Sequence, residues 1–243
     1  MALFRCSQSV SLWFPSTRTR RSDGLPMAPR MPLPRRTGPS MVFPYEMAAP
    51  SHGPTMMTKI PCPFQLTTER LVIRSPSEAD APQLMEAIIE TLDRLRPWMP
   101  WADHVPTLAE TQENCRQAEQ AFRDGSDYRL HLFLREEPST FVGGTGLHRI
   151  DWSVPKVEIG YWVRASRSGK GYITEAVQEI SRFAMESLGA NRVEIRMGST
   201  NAKSRGVPER LGFPLEGILR NDARHVDGTL RDTCVYAKVP ETE

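Results

Sequence analysis

The stretch that decides the fold is Glu158-Ile-Gly-Tyr-Trp-Val-Arg164, followed closely by Ser168-Gly-Lys-Gly-Tyr-Ile-Thr-Glu-Ala176. The first segment predicts a strand, and the apolar residues after Gly171 recur at helical spacing as far as Leu188. A glycine-rich turn between a strand and a helix directs backbone N–H groups and the positive end of the helix dipole at one place. We therefore expect this turn to bind a ligand that carries phosphate.

Two other phosphate-binding motifs do not match this turn. A nucleotide-binding P-loop needs Ser or Thr after its Lys, whereas Gly171 follows Lys170 here. The dinucleotide fingerprint fails because only two closely spaced glycines are present. By itself the turn is a weak signal, and a plain tight connection is the alternative interpretation.

The rest of the chain outside this stretch predicts one α+β domain. Capping boxes at Ser77/Asp80 and Thr107/Glu110 predict two helix starts, and Gly189 predicts a helix end. The helices are expected near 81–92, 108–124, 171–188 and 201–211, and the strands near 66–74, 128–135, 141–150, 157–164, 192–197, 214–219 and 231–239. This order predicts a seven-stranded, mixed but mostly antiparallel sheet with helices on both faces. Gly143-Gly144 and Gly146 indicate a bulge or a close backbone approach.

The N-terminal segment differs in composition from the rest of the chain. Residues 1–55 hold nine Pro and seven Arg but no Lys, and they show no sustained hydrophobic period. We expect residues 1–57 to be a disordered extension and residues 58–243 to form the domain. The first explanation is that Met56 or Met57 is the true start, and a targeting role is the second.

Charge and cysteine usage narrow the function classes. Beyond residue 55 the chain carries 24 basic and 27 acidic residues, a balance that argues against direct nucleic-acid binding. No apolar run is long enough to cross a membrane. The cysteines, at positions 6, 62, 115 and 234, predict neither a disulfide framework nor a metal site. A reducing cytoplasm is the expected location, and Cys234 is interpreted as a small buried hydrophobe.

At this point the turn resembles a known motif. Residues 168–173 are similar to the pyrophosphate-binding motif Q/R-x-x-G-x-G/A of GNAT acetyltransferases, with Ser168 and Ile173 as the two departures. Further segments resemble the RimJ/RimL branch of that superfamily, in order and over about residues 64–239. They are Thr68-Glu-Arg-Leu-Val-Ile-Arg74, Arg96-Pro-Trp-Met-Pro-Trp101, Glu158-Ile-Gly-Tyr-Trp162, Asn201-x-x-Ser204, Leu211-Gly-Phe213, Glu216-Gly-Ile-Leu-Arg220 and Arg231-Asp232 with Tyr236.

The resemblance implies a GNAT fold, in which strands four and five, at 157–163 and 192–197, splay apart beside bound acetyl-CoA. It implies acetyl-CoA as co-substrate without a metal, and a backbone oxyanion donor within 161–163. Asn201 would hold the pantetheine arm, although its position also fits a simple helix N-cap. The implied cofactor-binding residues are Tyr161, Trp162, Val163, Ser168, Gly169, Lys170, Gly171, Tyr172, Asn201 and Ser204.

Two residues are the implied catalytic groups. Glu158 would take the ammonium proton through water, or would be a structural buried carboxylate, with Asp222 and His225 as other candidate bases. Ser204 would lie near the departing sulfur, because no Tyr occurs between Asn201 and Phe213 to serve as a phenolic acid. Since no Cys or Ser has an adjacent base, we expect direct transfer in a ternary complex.

The acceptor is the least determined part. Trp98, Trp101 and His104 fall in a loop that borders the acceptor site in this superfamily, with His225 on a nearby hairpin. The two Trp residues could equally anchor the loop to the core. The expected acceptor is the N-terminal α-amine of a protein or peptide. One alternative acceptor is the amine of a polyamine or an antibiotic, and another interpretation is a catalytically silent CoA-binding module. The protein is expected to be a monomer or a homodimer.

Overall fold

A computed structural model describes residues 59–240, and the fold and site below are those of this range. The expected disorder of residues 1–57 and the expected start at Met56 or Met57 lie outside it. None of the helices in this range is long and apolar enough to span a bilayer.

Within residues 59–240 the chain forms eight strands and four α-helices. The strands are β1 (Gln65–Thr67), β2 (Leu71–Arg74), β3 (Tyr128–Leu134), β4 (Phe141–Asp151), β5 (Lys156–Val163), β6 (Arg192–Gly198), β7 (Leu215–Arg224) and β8 (Leu230–Lys238). The helices are α1 (Ala81–Leu95), α2 (Leu108–Asp124), α3 (Tyr172–Glu186) and α4 (Ala202–Arg210). All eight strands belong to one sheet in the order β1-β2-β3-β4-β5-β6-β8-β7, and only β5 and β6 pair in parallel.

The expected mixed, mostly antiparallel α+β fold is confirmed, with one more strand than predicted. A turn divides the predicted strand at 66–74 into two strands. In this turn the Thr68 N–H donates to the Leu71 carbonyl at 2.9 Å. The apolar alternation changes phase across this turn, because Leu66 lies at an even position and Leu71 and Ile73 at odd positions, although all three pack into the same cluster. One continuous strand could not place them on one face, and the predicted strand overlooked this change of phase.

The helix ends follow the capping signals closely. Thr107 caps α2 in the predicted box with Glu110. The Ser77/Asp80 box is also formed, but it begins a 3-10 turn that leads into α1. The third helix, α3, ends at Glu186, two residues before the predicted end, and Gly189 adopts φ 69° after it.

Two hydrophobic clusters cover the two faces of the sheet. Along β5, Ile159 belongs to the cluster that contains Ile180 of α3, whereas Trp162 belongs to the cluster that contains Leu84 of α1. Because successive side chains of a strand point to opposite faces, the helices lie on both sides of the sheet, as predicted.

The glycines of β4 allow a close backbone approach to its neighbours. A Cβ at Gly143 would lie 2.3 Å from the carbonyl oxygen of Trp162, and one at Gly146 would lie 2.5 Å from that of Tyr128. The β3/β4 register also shifts between Leu132 and Phe133. The structure therefore contains both predicted features, a bulge and close approaches.

The sheet opens between β5 and β6. Their pairing is confined to Lys156, Val157 and Glu158 of β5, while β6 continues to pair with β8 as far as Gly198. The later part of β5, residues 159–163, thus lies at an open edge inside the sheet. This is the splay that the family resemblance implied between the fourth and fifth predicted strands.

Candidate active site

The turn before α3 has the backbone conformation that only glycine adopts easily. Gly169 has φ 77° and Gly171, the N-cap of α3, has φ 83°. The first N–H groups of a helix have no intrahelical carbonyl partner. Since α3 begins at Tyr172, these donors and the positive end of the dipole meet at the open edge of β5 and favour an anion there.

A contact with the turn between β1 and β2 holds this helix start in place. Arg70 forms an ion pair with Glu175 in the first turn of α3 and donates to the Lys170 carbonyl at 3.0 Å. The Arg70 guanidinium also lies 4.8 Å from the centre of the Tyr172 ring. Thr68 donates to Glu175 at 2.5 Å. Sequence reasoning assigned no role to this link between segments about 100 residues apart.

A cleft of about 1010 Å³, here called the large cleft, runs from this turn along the open edge of β5. It is lined by nine of the ten predicted cofactor residues: Tyr161, Trp162, Val163, Ser168, Gly169, Gly171, Tyr172, Asn201 and Ser204. Lys170 is the exception, with an exposed side chain outside the lining. The large cleft is also lined by four cationic residues that were not predicted from the sequence: Arg94, Arg167, Lys203 and Arg210.

The backbone of β5 offers donors to the large cleft in a defined register. The Arg164 N–H donates to the Val142 carbonyl of β4. Because hydrogen-bonded and non-hydrogen-bonded pairs alternate in an antiparallel ladder, the amides of Tyr161 and Val163 then point away from β4, towards the splay. Trp162, whose amide points to β4, is therefore the least suited of the three predicted oxyanion donors.

A second cavity of about 270 Å³, here called the small pocket, adjoins the large cleft. Five residues line both cavities: Trp98, Met99, Tyr161, Asn201 and Ser204. The small pocket extends from there to Glu158 and to the hairpin of β7 and β8. A group in the large cleft and a group in the small pocket would meet beside Tyr161 and Ser204.

The junction of the two cavities carries a phenol that the sequence did not place there. The Tyr161 hydroxyl donates to the Ser204 carbonyl at 2.8 Å, and the Ser204 hydroxyl donates to the Tyr161 oxygen at 3.3 Å. Burial raises the pKa of Tyr161, so its hydroxyl stays protonated at neutral pH. A phenolic hydroxyl, which α4 lacks, thus lies at the junction on β5, 43 residues earlier in the chain than Ser204.

Glu158 lines the small pocket with only 7% of its surface exposed. Burial raises its pKa above the ordinary value, because desolvation disfavours the charged form. Arg149, whose Nη1 lies 3.2 Å from a Glu158 oxygen, is the main group acting in the opposite direction. A carboxylate with a raised pKa is a stronger base than one in water.

Four arginines line the small pocket, and none of them was predicted as a site residue from the sequence. They are Arg149, Arg196, Arg224 and Arg231, and they face two carboxylates, Glu158 and Asp222. Arg196 forms an ion pair with Asp222 at 3.1 Å. Arg149, Arg196 and Arg231 occupy polar positions of predicted strands, where a solvent-facing residue and a pocket residue give the same signal, and Arg224 lies outside the predicted strands.

The remaining predicted residues are distributed unevenly. Trp98 and Trp101 line the small pocket, but Trp101 is buried and packs edge-on against Trp162. His225 lies with its ring centre 6.1 Å from that of Trp98, and neither cavity includes it in its lining. His104 is exposed, bonds to Asp103 at 2.7 Å and lines neither cavity, so the structure does not bring it to the site.

Asn201 takes the cap position that the sequence allowed. It is the N-cap of α4, and its side-chain oxygen accepts from the Ser204 N–H at 3.2 Å. The same residue lines both cavities, so capping and ligand binding are compatible. Among residues 59–240 no group of three or more His, Cys, Asp or Glu side chains is placed to hold a metal ion.

Comparison with known proteins defines the class. Residues 70–214 match the family model described as Acetyltransferase (GNAT) domain, and the chain belongs to this family. It is an N-acetyltransferase whose co-substrate is acetyl-CoA, as the sequence predicted. The residues present fit that co-substrate: an open strand edge, a helix N-terminus and a group of cations line one cleft.

Individual relatives place the chain near enzymes named for ribosomal proteins. It is 34% identical over 171 residues to "Putative ribosomal N-acetyltransferase YdaF" of Bacillus subtilis, covering 70% of this chain and 91% of that protein. It is 27% identical over 174 residues to the "[Ribosomal protein uS5]-alanine N-acetyltransferase" of Escherichia coli, covering 71% and 89%. A crystal structure of a "Probable acetyltransferase" is 31% identical, with a TM-score of 0.66, and covers 72% of this chain and 97% of that one.

Proposed function

We propose that this enzyme acetylates the N-terminal α-amine of a protein or peptide, by direct attack of the amine on acetyl-CoA in a ternary complex. Acetyl-CoA supplies an activated thioester, and the protein must position the amine and remove its proton. Relatives named for ribosomal-protein acetylation support the choice of a protein amine.

Direct transfer is supported by the junction of the two cavities. The thioester end of the co-substrate would lie beside Tyr161 and Ser204, where the small pocket opens into the large cleft. The Tyr161 and Val163 amides would stabilise the developing oxyanion, and the Ser204 hydroxyl would assist the departing thiolate. A thiol of pKa about 8.5 leaves with little help from an acid.

Glu158 is the proposed general base. It is buried in the small pocket with a raised pKa, and in this position it would take the amine proton through water. Asp222 is a less suitable base because it is exposed to solvent, whereas Glu158 is buried in the pocket. Cys115 and Cys234, both fully buried, are unavailable for an acyl-enzyme step.

The single observation that carries the choice of acceptor is the charge of the small pocket. Four arginines face two carboxylates there, so the pocket has an excess of positive charge. This excess favours the neutral, nucleophilic form of a single amine and repels polyamines and aminoglycosides, which carry several positive charges. An α-amine, with a pKa near 7.7 to 8.0, becomes neutral more readily than a Lys amine.

The test is a thiol-release assay of the full-length protein with acetyl-CoA and a panel of amines. The panel contains peptides with free Ala or Ser N-termini, an N-terminally blocked peptide with one Lys, spermidine and an aminoglycoside. We expect turnover with the free N-termini and little with the others, and no acetylated enzyme when the acceptor is omitted. Turnover restricted to spermidine or the aminoglycoside would refute the proposal, and thiol release equal to hydrolysis for every amine would favour a silent CoA-binding module.

A further inference from the structure

The peptide bond between Lys170 and Gly171 lies in the turn that leads into α3. Its carbonyl oxygen accepts a hydrogen bond from Nη1 of Arg70 at 3.0 Å. In a planar trans peptide the carbonyl and the N–H point in opposite directions. The N–H of Gly171 is therefore turned away from Arg70.

Arg70 contacts this peptide from outside the large cleft. Gly171 lines the large cleft, whereas Arg70 lines neither cavity. The Gly171 N–H thus points to the side on which the start of α3 favours an anion. Because a glycine takes either sign of φ with similar ease, this peptide has little preference of its own for that orientation. The bond from Arg70 supplies the preference.

The Arg70 side chain is itself held in place for this bond. Its Nε donates to Oε2 of Glu175 at 2.7 Å, and its Nη2 lies 2.6 Å from the same oxygen. A Cβ at Gly171 would lie 3.3 Å from Nη2, so the guanidinium packs directly against the turn. With Nε and Nη2 on the carboxylate, Nη1 is the nitrogen that reaches the Lys170 carbonyl.

An alternative role for Arg70 is to neutralise Glu175, whose charge lies near the expected anion. Two observations favour the contact with the carbonyl instead. Glu175 lines neither cavity. Its Oε1 also accepts from the Thr68 hydroxyl and from the Arg70 N–H, so donors other than the guanidinium already stabilise its charge.

We infer that Arg70 is a positioning residue for acetyl-CoA. Through the Lys170 carbonyl it fixes the orientation of the Gly171 N–H, which is then available to bind a phosphate of the co-substrate. In this assignment Arg70 contacts neither the co-substrate nor the reacting atoms. The inference concerns the co-substrate and does not depend on which amine is acetylated.

The experiment measures the Kd for CoA by titration calorimetry of the full-length protein and its variants. Arg70→Met keeps an unbranched side chain and removes its donors, so its Kd should be about tenfold or more above that of the wild type, as for a charged hydrogen bond. Arg70→Lys keeps one charged donor group and should recover part of the affinity. Glu175→Gln breaks the ion pair but leaves the Lys170 carbonyl contact, so its Kd should stay within about threefold of the wild type.

A double variant separates the carbonyl contact from charge neutralisation. If Arg70 acts through the Lys170 carbonyl, the combination of Arg70→Met with Glu175→Gln binds CoA as weakly as Arg70→Met alone. Arg182→Met is the matched control, because Arg182 forms its ion pairs at the other end of α3 and lines neither cavity. It should leave the Kd unchanged. An unfolded fraction lowers the measured stoichiometry and leaves the Kd of the folded protein as it is.

Four outcomes would overturn the inference. They are no binding of CoA by the wild type, an unchanged Kd in Arg70→Met, an equal rise in Arg70→Met and Glu175→Gln, and recovery of affinity in the double variant. The third would show that the ion pair only supports the fold, and the fourth would assign Arg70 to the neutralisation of Glu175. Since none of these measurements includes an acceptor, the proposed acceptor is tested separately, by the thiol-release assay.

Discussion

Two buried carboxylates of this enzyme have opposite electrostatic surroundings. Asp80, 3% exposed, accepts hydrogen bonds from Arg74, His131 and the Ser77 N–H. Although burial opposes its ionisation, the bonds from His131 and Arg74 prevail and hold the pKa of Asp80 below its ordinary value. Glu158, 7% exposed, has one ion-pair partner within the described range, and burial raises its pKa.

The difference between them separates a structural carboxylate from one that can exchange protons. Every favourable contact of Asp80 stabilises its charged form, which ties β2 and β3 to the start of α1. Glu158 is left with a charge that its surroundings do not fully stabilise, so proton uptake is easier. His131 is itself buried, which lowers its pKa, and it acts as a neutral hydrogen-bond donor to Asp80.

The largest expected effect is on activity, from Glu158→Gln. If Glu158 is the base, kcat should fall by about 10²- to 10⁴-fold with an N-terminal peptide. The melting temperature should be unchanged or higher, because the substitution removes an incompletely compensated buried charge. Steady-state kinetics and calorimetry of the same preparation measure both.

Glu179→Gln is the control for Glu158, since Glu179 pairs with Arg182 on α3 and lines neither cavity. If Glu158→Gln keeps its rate within about threefold of the wild type, the loss is smaller than that of one ordinary hydrogen bond. Such a result would show that Glu158 has a structural role. Asp222→Asn and His225→Gln would then be the next substitutions.

The second effect is on stability, from Asp80→Asn. Removing this charge leaves the Arg74 guanidinium without its buried partner, which should lower the free energy of unfolding by about 3 kcal/mol. The rate per folded molecule should change little, because Asp80 lines neither cavity. Denaturant unfolding gives the free energy. Asp93→Asn, which breaks the exposed Arg96 pair on the surface, is the control and should have little effect.

The pH dependence of stability should have opposite signs for these two variants. Asp80 has a lowered pKa in the folded state, so its contribution is present above the unfolded pKa and is lost as pH falls through the folded value. Glu158 has a raised folded pKa, so its contribution is present at low pH and is lost as pH rises through that value. Relative to the wild type, Asp80→Asn should therefore recover at acidic pH, while Glu158→Gln should gain as pH rises. Parallel curves for the two variants would contradict the comparison.

The smallest effect is expected at the junction of the two cavities. Tyr161→Phe and Ser204→Ala each remove the hydroxyl-to-hydroxyl bond, and each should lower kcat by about 3- to 10-fold, the equivalent of one neutral hydrogen bond. The double substitution should lower kcat by less than the product of the two single-substitution factors, because both single substitutions remove the same bond. A multiplicative loss in the kinetics would show that the two hydroxyls act independently.

Much of the fold could be predicted from local sequence signals. The helix α2 was predicted at its observed bounds, because the capping box that begins it is a local signal. The strand at 66–74 was wrongly predicted as continuous, since the turn at Thr68 depends on a hydrogen bond rather than on Gly or Pro. For the site, the glycine turn before α3 was recognisable, whereas the contacts of Arg70 with the start of α3 and the arginines of the small pocket were not.

The sequence by itself determined the order of the elements, the glycine turn before α3 and the class of enzyme. The elements and the turn depend on hydrophobic period, capping and backbone freedom, which act within a few residues, whereas the class of enzyme came from the resemblance of ordered motifs to a known family. Only the tertiary structure decided that the Tyr161 hydroxyl meets Ser204, that four arginines line the small pocket and that His104 lies outside the site. The physical reason is that the energy of a charge or a polar group depends on its burial and on neighbours distant in the chain, which no local pattern contains.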